Sequence, residues 1–376
     1  MTTSPQRVLS VVGTRPNFMK MAPILAELQR HPDTFASTLV HTGQHYDAGM
    51  SDVFFSELGI AAPDHSLDVG SGSHAAQTAR IMERLEPVLE AEQPDVVLVP
   101  GDVNSTLAAA LVASKMGLTI GHVEAGLRSF DRSMPEEVNR ILTDRISDLL
   151  FTHSPEARDY LLSEGADPSS IHYVGNTMID TLVALRDQID TAGAAAAHGV
   201  EPGRFLLVTL HRPALVDGPM LGQVLGGLGE LARDMPVVFP AHPRTRGAIG
   251  GLPGGDAPGL QLVDPLGYLE FLSLLSGAAA VLTDSGGIQE EATYLGVPCL
   301  TLRDNTERPV TVSMGTNVLL GLRPERVGEV PQLIEQVRGR QARVPPLWDG
   351  ASAQRIVAIL GNLVQAGPGN AADDHN

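Results

Sequence analysis

Five short stretches of the 376-residue sequence carry residue types and spacings that could do chemistry, and each begins where an apolar run of strand length ends. In the first, Gly13 to Lys20, Pro16 suits the first turn of a helix. Arg15 then sits at a helix N-terminus that already favours an anion, with Lys20 about one turn further on. In the second, Asp102 ends a strongly apolar run, and its carboxylate either faces a cleft or caps the next helix. The third, His122 to Arg140, places Glu124 after a strand and Gly126 where a tight turn is needed. Arg128, Asp131 and Arg132 follow in a loop, and Glu136, Glu137 and Arg140 lie in a helix opened by Pro135. The fourth ends a strand with His211, as His242 ends the next one. The fifth, Thr283 to Glu291, reads strand, Ser285-Gly286-Gly287, helix. The glycines let backbone N–H groups approach phosphate oxygens, and Glu291 one turn in could accept both hydroxyls of a ribose. Arg308 follows the next strand.

Each feature also has a plain structural reading. Acids in a first helical turn are favoured by the dipole without any function. Glu136 and Arg140 could be a surface pair worth about 0.3–0.5 kcal/mol. A histidine at a strand end can simply be hydrogen-bonded. The three carboxylates at successive strand ends, Asp102, Glu124 and Glu136, with arginines interleaved, look instead like an acid/base site. No G-x-G-x-x-G follows the first strand, so a nicotinamide fingerprint is not supported.

The elements that must position these residues alternate. Strand-length runs at 7–12, 37–41, 95–100, 119–123, 149–153 and 171–174 are separated by helical periodicity at 16–29, 74–92, 105–116 and 136–147. The same grammar returns with strands at 205–210, 236–241, 260–263, 279–283, 298–303 and 318–320. Continuous apolar strands joined by helices imply parallel sheets buried on both faces. The fold class is therefore α/β, with two Rossmann-like doubly wound domains. We place the first at 1–190, a small-residue linker at 191–203 and the second at 204–348. A helix at 349–366 could pack back on the first domain, and 367–376 reads as a disordered tail. In such sheets ligands bind outside the carboxyl ends of the strands, which is where the five stretches lie.

Composition narrows the function classes. Hydrophobic residues are 43%, enough to bury two cores, while aromatics are 4% and the net charge is −18. Base stacking and a phosphate-coating surface are both disfavoured, so no nucleic-acid partner is expected. No apolar run is long enough to span a bilayer, and none reads as a leader, so the expectation is a cytoplasmic protein with no membrane partner. The single cysteine, Cys299, makes no internal disulfide. Without Cys/His ligand spacing we expect no metal, and no cofactor is needed.

Taken together, Gly13–Lys20, His122–Arg140, Asp284–Glu291 and Thr306–Pro309 resemble the non-hydrolysing UDP-N-acetylglucosamine 2-epimerases, with the match running in order from about Arg7 to Leu363. The resemblance implies a GT-B-like fold, two Rossmann-like domains facing a central cleft, and assigns roles by position. It implies reversible conversion of UDP-GlcNAc to UDP-ManNAc for envelope polysaccharide, without nicotinamide or metal, by a homodimer. Asp102, Glu124 and Glu136 match the family's acidic residues, His211 its histidine, and Arg15, Lys20 and Arg140 its basic residues. Ser285, Gly286, Gly287 and Glu291 match the UDP diphosphate and ribose contacts, and Phe271 and Arg308 match other ligand contacts.

Three positions depart from the family pattern. Asn17 stands where a Glu is usual, and Leu266 replaces a Gln near the uracil. Some members bind a second, activating UDP-GlcNAc through a Gln-His-x-Gln loop. Here Gln44 and His45 are kept as regulatory candidates, but Asp47 offers a carboxylate where an amide would donate, so weak or absent activation is expected. The alternatives are a GT-B glycosyltransferase, a hydrolysing 2-epimerase, a non-catalytic nucleotide-sugar sensor, and a 2-epimerase acting on a modified UDP-sugar.

Overall fold

In a computed structural model of the protein, residues 4–44, 57–241, 243–249, 252 and 254–366 are described. His45, Tyr46, Asp47, His242 and the expected tail at 367–376 lie outside them.

The chain divides into two compact units, Met1–Val183 with Pro346–Asn376, and Ala184–Pro345. The first unit's strands are β1 (Gln6–Val12), β2 (Phe35–His41), β3 (His65–Ser66), β4 (Val96–Pro100), β5 (Thr119–Ala125), β6 (Leu149–Thr152) and β7 (Ile171–Tyr173). Among the described residues they form one sheet in the order β3-β2-β1-β4-β5-β6-β7, with every pairing parallel. β4 is buried at all five positions, so it reads as an unbroken apolar run instead of an alternation. β3 escapes sequence reading because two residues carry no period.

The second unit contains β8 (Leu206–Thr209), β9 (Val237–Pro240), β10 (Leu260–Val263), β11 (Ala280–Thr283), β12 (Cys299–Thr301) and β13 (Asn317–Leu319). Their order is β10-β9-β8-β11-β12-β13, again all parallel. In each sheet the first strand of the unit sits mid-sheet and the chain winds outward on both sides. The crevice at such a reversal lies beside β1 and β4 in one unit and beside β8 and β11 in the other. Asp102 follows β4, and Asp284 follows β11.

The boundaries differ from those read off the sequence. The stretch 191–203 taken as a linker holds the short helix Ala194–Ala197, directly follows another, Arg186–Thr191, and belongs with the second unit. Ile189, Ala194 and Ala195 are buried there, and the Ala194 N–H reaches the Ser273 hydroxyl at 3.4 Å. Alanine is a strong helix former, and a run of it without a strand pattern is easily mistaken for a linker. The chain returns to the first unit at Pro346. Trp348 is 2% exposed, with its indole N–H donating to the His153 carbonyl at 2.8 Å. The helix Ser352–Ala366 packs against the helix Arg15–Gln29, and the Asp180 carboxylate accepts the Ala353 N–H at 2.7 Å. Among the described residues no helix is long and apolar enough to cross a membrane.

Candidate active site

The first unit's chemistry is built at the C-terminal ends of β1, β4 and β5. Thr14 caps the helix Arg15–Gln29, with Pro16 in its first turn, and this leaves Arg15 exposed at the N-terminus. Lys20 is buried on the same helix and forms an ion pair with Glu124. Asn17 explains its own departure from the family pattern. Its Oδ1 accepts the Gly13 and Thr14 N–H groups at 3.1 and 3.0 Å, and its Nδ2 donates to the Pro100 carbonyl at 3.0 Å. A carboxylate could not make that last bond.

Glu124 is held in an unusual backbone state. The β5–β6 register shifts between Val123 and Ala125, so Glu124 is the extra residue of a bulge, and its φ is 71°. A left-handed glutamate costs on the order of 1–3 kcal/mol, and bulges re-aim side chains beside functional sites. Gly126, at φ 80°, completes the turn. A Cβ there would meet the Ala157 carbonyl oxygen at 2.5 Å, so no other residue fits. A small cavity lies against Glu124, lined by Lys20, Phe151, His153, Asn176 and Thr177 among others.

Asp102 is half-buried just past β4 and forms an ion pair with Arg140. Arg140 is buried on the helix Pro135–Ile146 and pairs through its other amine with Glu137. The Asn139 amide donates to the Asp102 carbonyl at 2.9 Å. Glu137 is 1% exposed and also takes the backbone N–H groups of Ser129 and Phe130 at 2.9 and 2.8 Å. Glu136, the carboxylate singled out in the sequence, is half-buried at the start of that helix. The buried carboxylate is its neighbour. Helical spacing separates the two only weakly: both lie within about one turn of Arg140, at i,i+4 and i,i+3, and only Glu137 also stands at i,i+7 from the buried Asp144.

Gln44 is committed to structure. Its Oε1 accepts the Ser105 hydroxyl at 2.7 Å and the Ser105 N–H at 3.2 Å.

In the second unit, the loop after β8 carries His211, exposed, with its Nδ1 2.8 Å from Asp284 Oδ1. Asp284 is 0% exposed, and its other oxygen accepts the N–H groups of His211 and Arg212 at 2.9 and 2.8 Å. Burial pushes the Asp284 carboxyl up, but the hydrogen bond and charge of His211 and the two backbone donors outweigh it, and its pKa lies below the ordinary value. Sequence reading gave Asp284 no role of its own, although it opens the stretch Asp284–Glu291. Its place between an apolar run and a Ser-Gly-Gly turn was the available signal.

Ser285 caps the helix Gly286–Leu295, so the N–H groups of Gly286 and Gly287 point out of its N-terminus. Glu291 is 3% exposed and accepts the Tyr268 hydroxyl at 2.8 Å. Phe271 lies half-buried on the helix Tyr268–Gly277 that carries Tyr268. Arg308 packs over Gly286 and is gripped by buried acids. Its Nε lies 2.8 Å from Glu290, while Glu307 is tied to Arg303 at 2.6 Å. A Cβ on Gly286 would fall 2.5 Å from Arg308 Nη1 and 3.0 Å from its Cζ. Gly286→Ala is therefore expected to weaken UDP binding by about tenfold, the loss of one good charge-assisted contact, while the fold is kept. Calorimetric titration with UDP checks this, and unchanged affinity would show that neither Arg308 nor the helix start meets the nucleotide. Among the described residues no group of three or more His, Cys, Asp or Glu side chains could hold a metal ion.

Two parallel-sheet α/β units, each with its polar residues at the carboxyl ends of its strands, define a protein of the GT-B-like class. Within that class the chain belongs to the UDP-N-acetylglucosamine 2-epimerase family, whose sequence profile matches residues 26–361. It is accordingly an isomerase, an epimerase. A UDP-N-acetylglucosamine 2-epimerase of Methanococcus maripaludis is 41% identical over 362 residues, covering 93% of this chain and 97% of the relative. A UDP-2,3-diacetamido-2,3-dideoxy-D-glucuronate 2-epimerase of Pseudomonas aeruginosa is 44% identical over 328 residues, covering 86% and 90%. The crystal structure of the Methanocaldococcus jannaschii UDP-GlcNAc 2-epimerase in complex with UDP-GlcNAc and UDP superposes with a TM-score of 0.86. It is 40% identical, covering 95% of this chain and all of that one.

Proposed function

We propose that the protein interconverts UDP-GlcNAc and UDP-ManNAc at C2 by eliminating UDP and adding it back. The observation that carries this reading is Glu124, aimed by a bulge from a strained backbone and paired with a buried lysine beside Asp102. A surface turn has no reason to hold such an arrangement.

The chemistry follows from the sugar. The C2 proton is not acidic, because no carbonyl adjoins it. Departure of UDP makes C1 cationic and acidifies C2–H. The C1–O bond breaks and its electron pair leaves with UDP. A carboxylate then takes the C2 proton, and the C–H pair becomes the C1=C2 bond of 2-acetamidoglucal. Re-addition of UDP to C1, with a proton delivered to C2 from the other face, gives the epimer. Asp102, Glu124 and Glu136 are the proton carriers in this scheme, with Lys20 and Arg140 setting their charge and position. The helix start at Ser285, Gly286 and Gly287, with Arg15, Arg308 and His211, stabilises the departing diphosphate. Glu291 takes the ribose hydroxyls and Phe271 packs on the ligand.

The experiment is incubation of UDP-GlcNAc with the protein alone in deuterated water, followed by NMR at C2. UDP-ManNAc carrying deuterium at C2 is the expected product. Retained protium would sink the elimination, a need for an acceptor would indicate a glycosyltransferase, and free ManNAc with UDP would indicate a hydrolase. EDTA is expected to leave the rate unchanged. Loss on chelation with recovery on adding Mg²⁺ would overturn the carboxylate assignment.

The Pseudomonas relative favours a second reading, a modified UDP-sugar as substrate, because it is 44% identical while the Methanococcus maripaludis epimerase is 41%. Comparing kcat/KM for UDP-GlcNAc with that for UDP-2,3-diacetamido-2,3-dideoxy-D-glucuronate decides between them.

A further inference from the structure

Behind the carboxylates of the first unit lies a buried charged cluster with no part in the scheme above. His122, 0% exposed in the middle of β5, directs Nδ1 at Asp144 Oδ1 (2.6 Å) and Nε2 at the Gly101 carbonyl (2.7 Å). Asp144, in the last turn of the helix Pro135–Ile146, accepts Arg128 Nη1 at 2.7 Å on Oδ2 and the Gly126 N–H at 3.2 Å. Arg128, 1% exposed, donates to the Leu127 carbonyl at 2.6 Å and turns its far edge to Glu164 at 2.8 and 2.6 Å.

The protons can be placed by donor and acceptor logic. A backbone carbonyl only accepts, so Nε2 of His122 carries a hydrogen. Asp144 accepts from Arg128 and from Gly126, as an ionised carboxylate does. Its burial alone would push its pKa up, but His122 and Arg128 more than offset that, and the group lies below the ordinary range. With an accepting carboxylate 2.6 Å from Nδ1 and an accepting carbonyl 2.7 Å from Nε2, the hydrogen-bond pattern calls for a ring that donates from both nitrogens.

The backbone atoms it grips matter most. The Gly101 carbonyl directly precedes Asp102, and the Gly126 N–H is two residues past Glu124. A further bond, Gly101 N–H to the Val123 carbonyl at 2.9 Å, ties the two turns together. The helix that supplies Asp144 also supplies Arg140 to Asp102 and Asn139 to the Asp102 carbonyl.

We propose that Asp144, acting through the doubly protonated His122 ring and the Gly126 amide, is a positioning residue that holds the turns of Asp102 and Glu124 in one fixed register. It touches no substrate. The proposal rests on the epimerase reading for its kinetic consequence, because it assigns Asp102 and Glu124 to proton transfer. Asparagine at position 144 keeps the volume but removes the charge. The ring then loses its counter-anion and one of its two donated bonds, and both turns gain freedom. A misplacement on the order of 1 Å in a reacting group costs about a hundredfold.

The test pairs kinetics with spectroscopy. Asp144→Asn is expected to lower kcat about tenfold to a hundredfold, with KM and UDP affinity within about twofold. Glu164→Gln, at the 40%-exposed outer end of the cluster, is expected to keep kcat within about threefold. A kcat unchanged in a folded Asp144→Asn variant, or a rise in KM alone, would overturn the proposal. Because that variant could fail to fold, the wild-type protein supplies an independent arm. ¹⁵N spectra of histidine-labelled protein are expected to show both His122 ring nitrogens protonated near pH 7. A neutral His122 tautomer would overturn the proposal even if kinetics cannot be measured. If the wild type fails to put deuterium at C2, the epimerase reading falls, while the ring spectra still decide the protonation on which the bracket depends.

Discussion

Replacing Glu124 by glutamine is expected to lower turnover by about a hundredfold or more while UDP still binds. The amide has the same shape, so the bulge and its φ of 71° stay as they are, but it cannot accept the C2 proton. It also leaves Lys20 facing a neutral group in place of its ion-pair partner. Both changes act on the transition state and not on the nucleotide, whose proposed contacts are Arg15 and residues of the second unit. The prediction is therefore a fall in kcat with a UDP dissociation constant close to that of wild type, read by coupled assay and calorimetry. Asp102→Asn is expected to behave likewise. Near-normal turnover in both would remove these carboxylates from the reaction.

The second large effect is expected from Asp284→Asn. In the native arrangement one carboxylate oxygen takes two backbone N–H groups and the other faces His211 Nδ1. An asparagine oxygen must stay with the two N–H groups, so its NH₂ is turned toward the ring and forces Nδ1 to accept. The ring then donates only through Nε2 and no longer has a carboxylate behind it, so it stabilises a departing diphosphate less. We expect kcat to fall by about tenfold to a hundredfold with little change in KM. If KM rises while kcat is kept, His211 contributes uniform binding only.

The same carboxylate makes a pH prediction. A group whose pKa is lower in the folded than in the unfolded state adds stability that is fully present above the unfolded value. That stability is lost as pH falls through the folded one. Asp284 and Asp144 are both lowered, so acid unfolding is expected to sharpen below the ordinary carboxylate value of 3.8. Asp284→Asn is expected to flatten part of that slope in urea titrations between about pH 5 and 2.

Much of this was legible in the sequence, and the exceptions share a cause. Apolar runs found the long buried strands because burial on both faces writes itself into every residue of a strand such as β4. Chemistry at strand ends found Asp102, Glu124 and His211 for a topological reason, since doubly wound sheets expose those ends. What stayed hidden are partners brought together only by folding. Asp144 reaches His122 from another element, and Asp284 reaches back 73 residues to His211. Glu136 and Glu137 are identical in type and both lie about one turn from Arg140, so what separates them, the burial of Glu137 against the loop at Ser129 and Phe130, is written only in the fold. The boundary near residue 190 misled because a run of alanines between glycines looks the same in a linker as in a short packed helix.

The return of the chain at Pro346 has a consequence for biogenesis. Translation runs from one end, so the ribosome completes all of Ala184–Pro345 before it makes the segment that carries Trp348 and the helix Ser352–Ala366. Until then the nascent first unit lacks the indole that lies over His153 and the helix start that Asp180 caps. The seat for Ile356 and Leu360, both fully buried in the finished protein, is an uncovered greasy surface during that interval. The second unit can mature on the ribosome as a contiguous piece. The first waits for its own last segment, and a stalled or prematurely terminated message leaves a chain that quality control would recognise by that open seat.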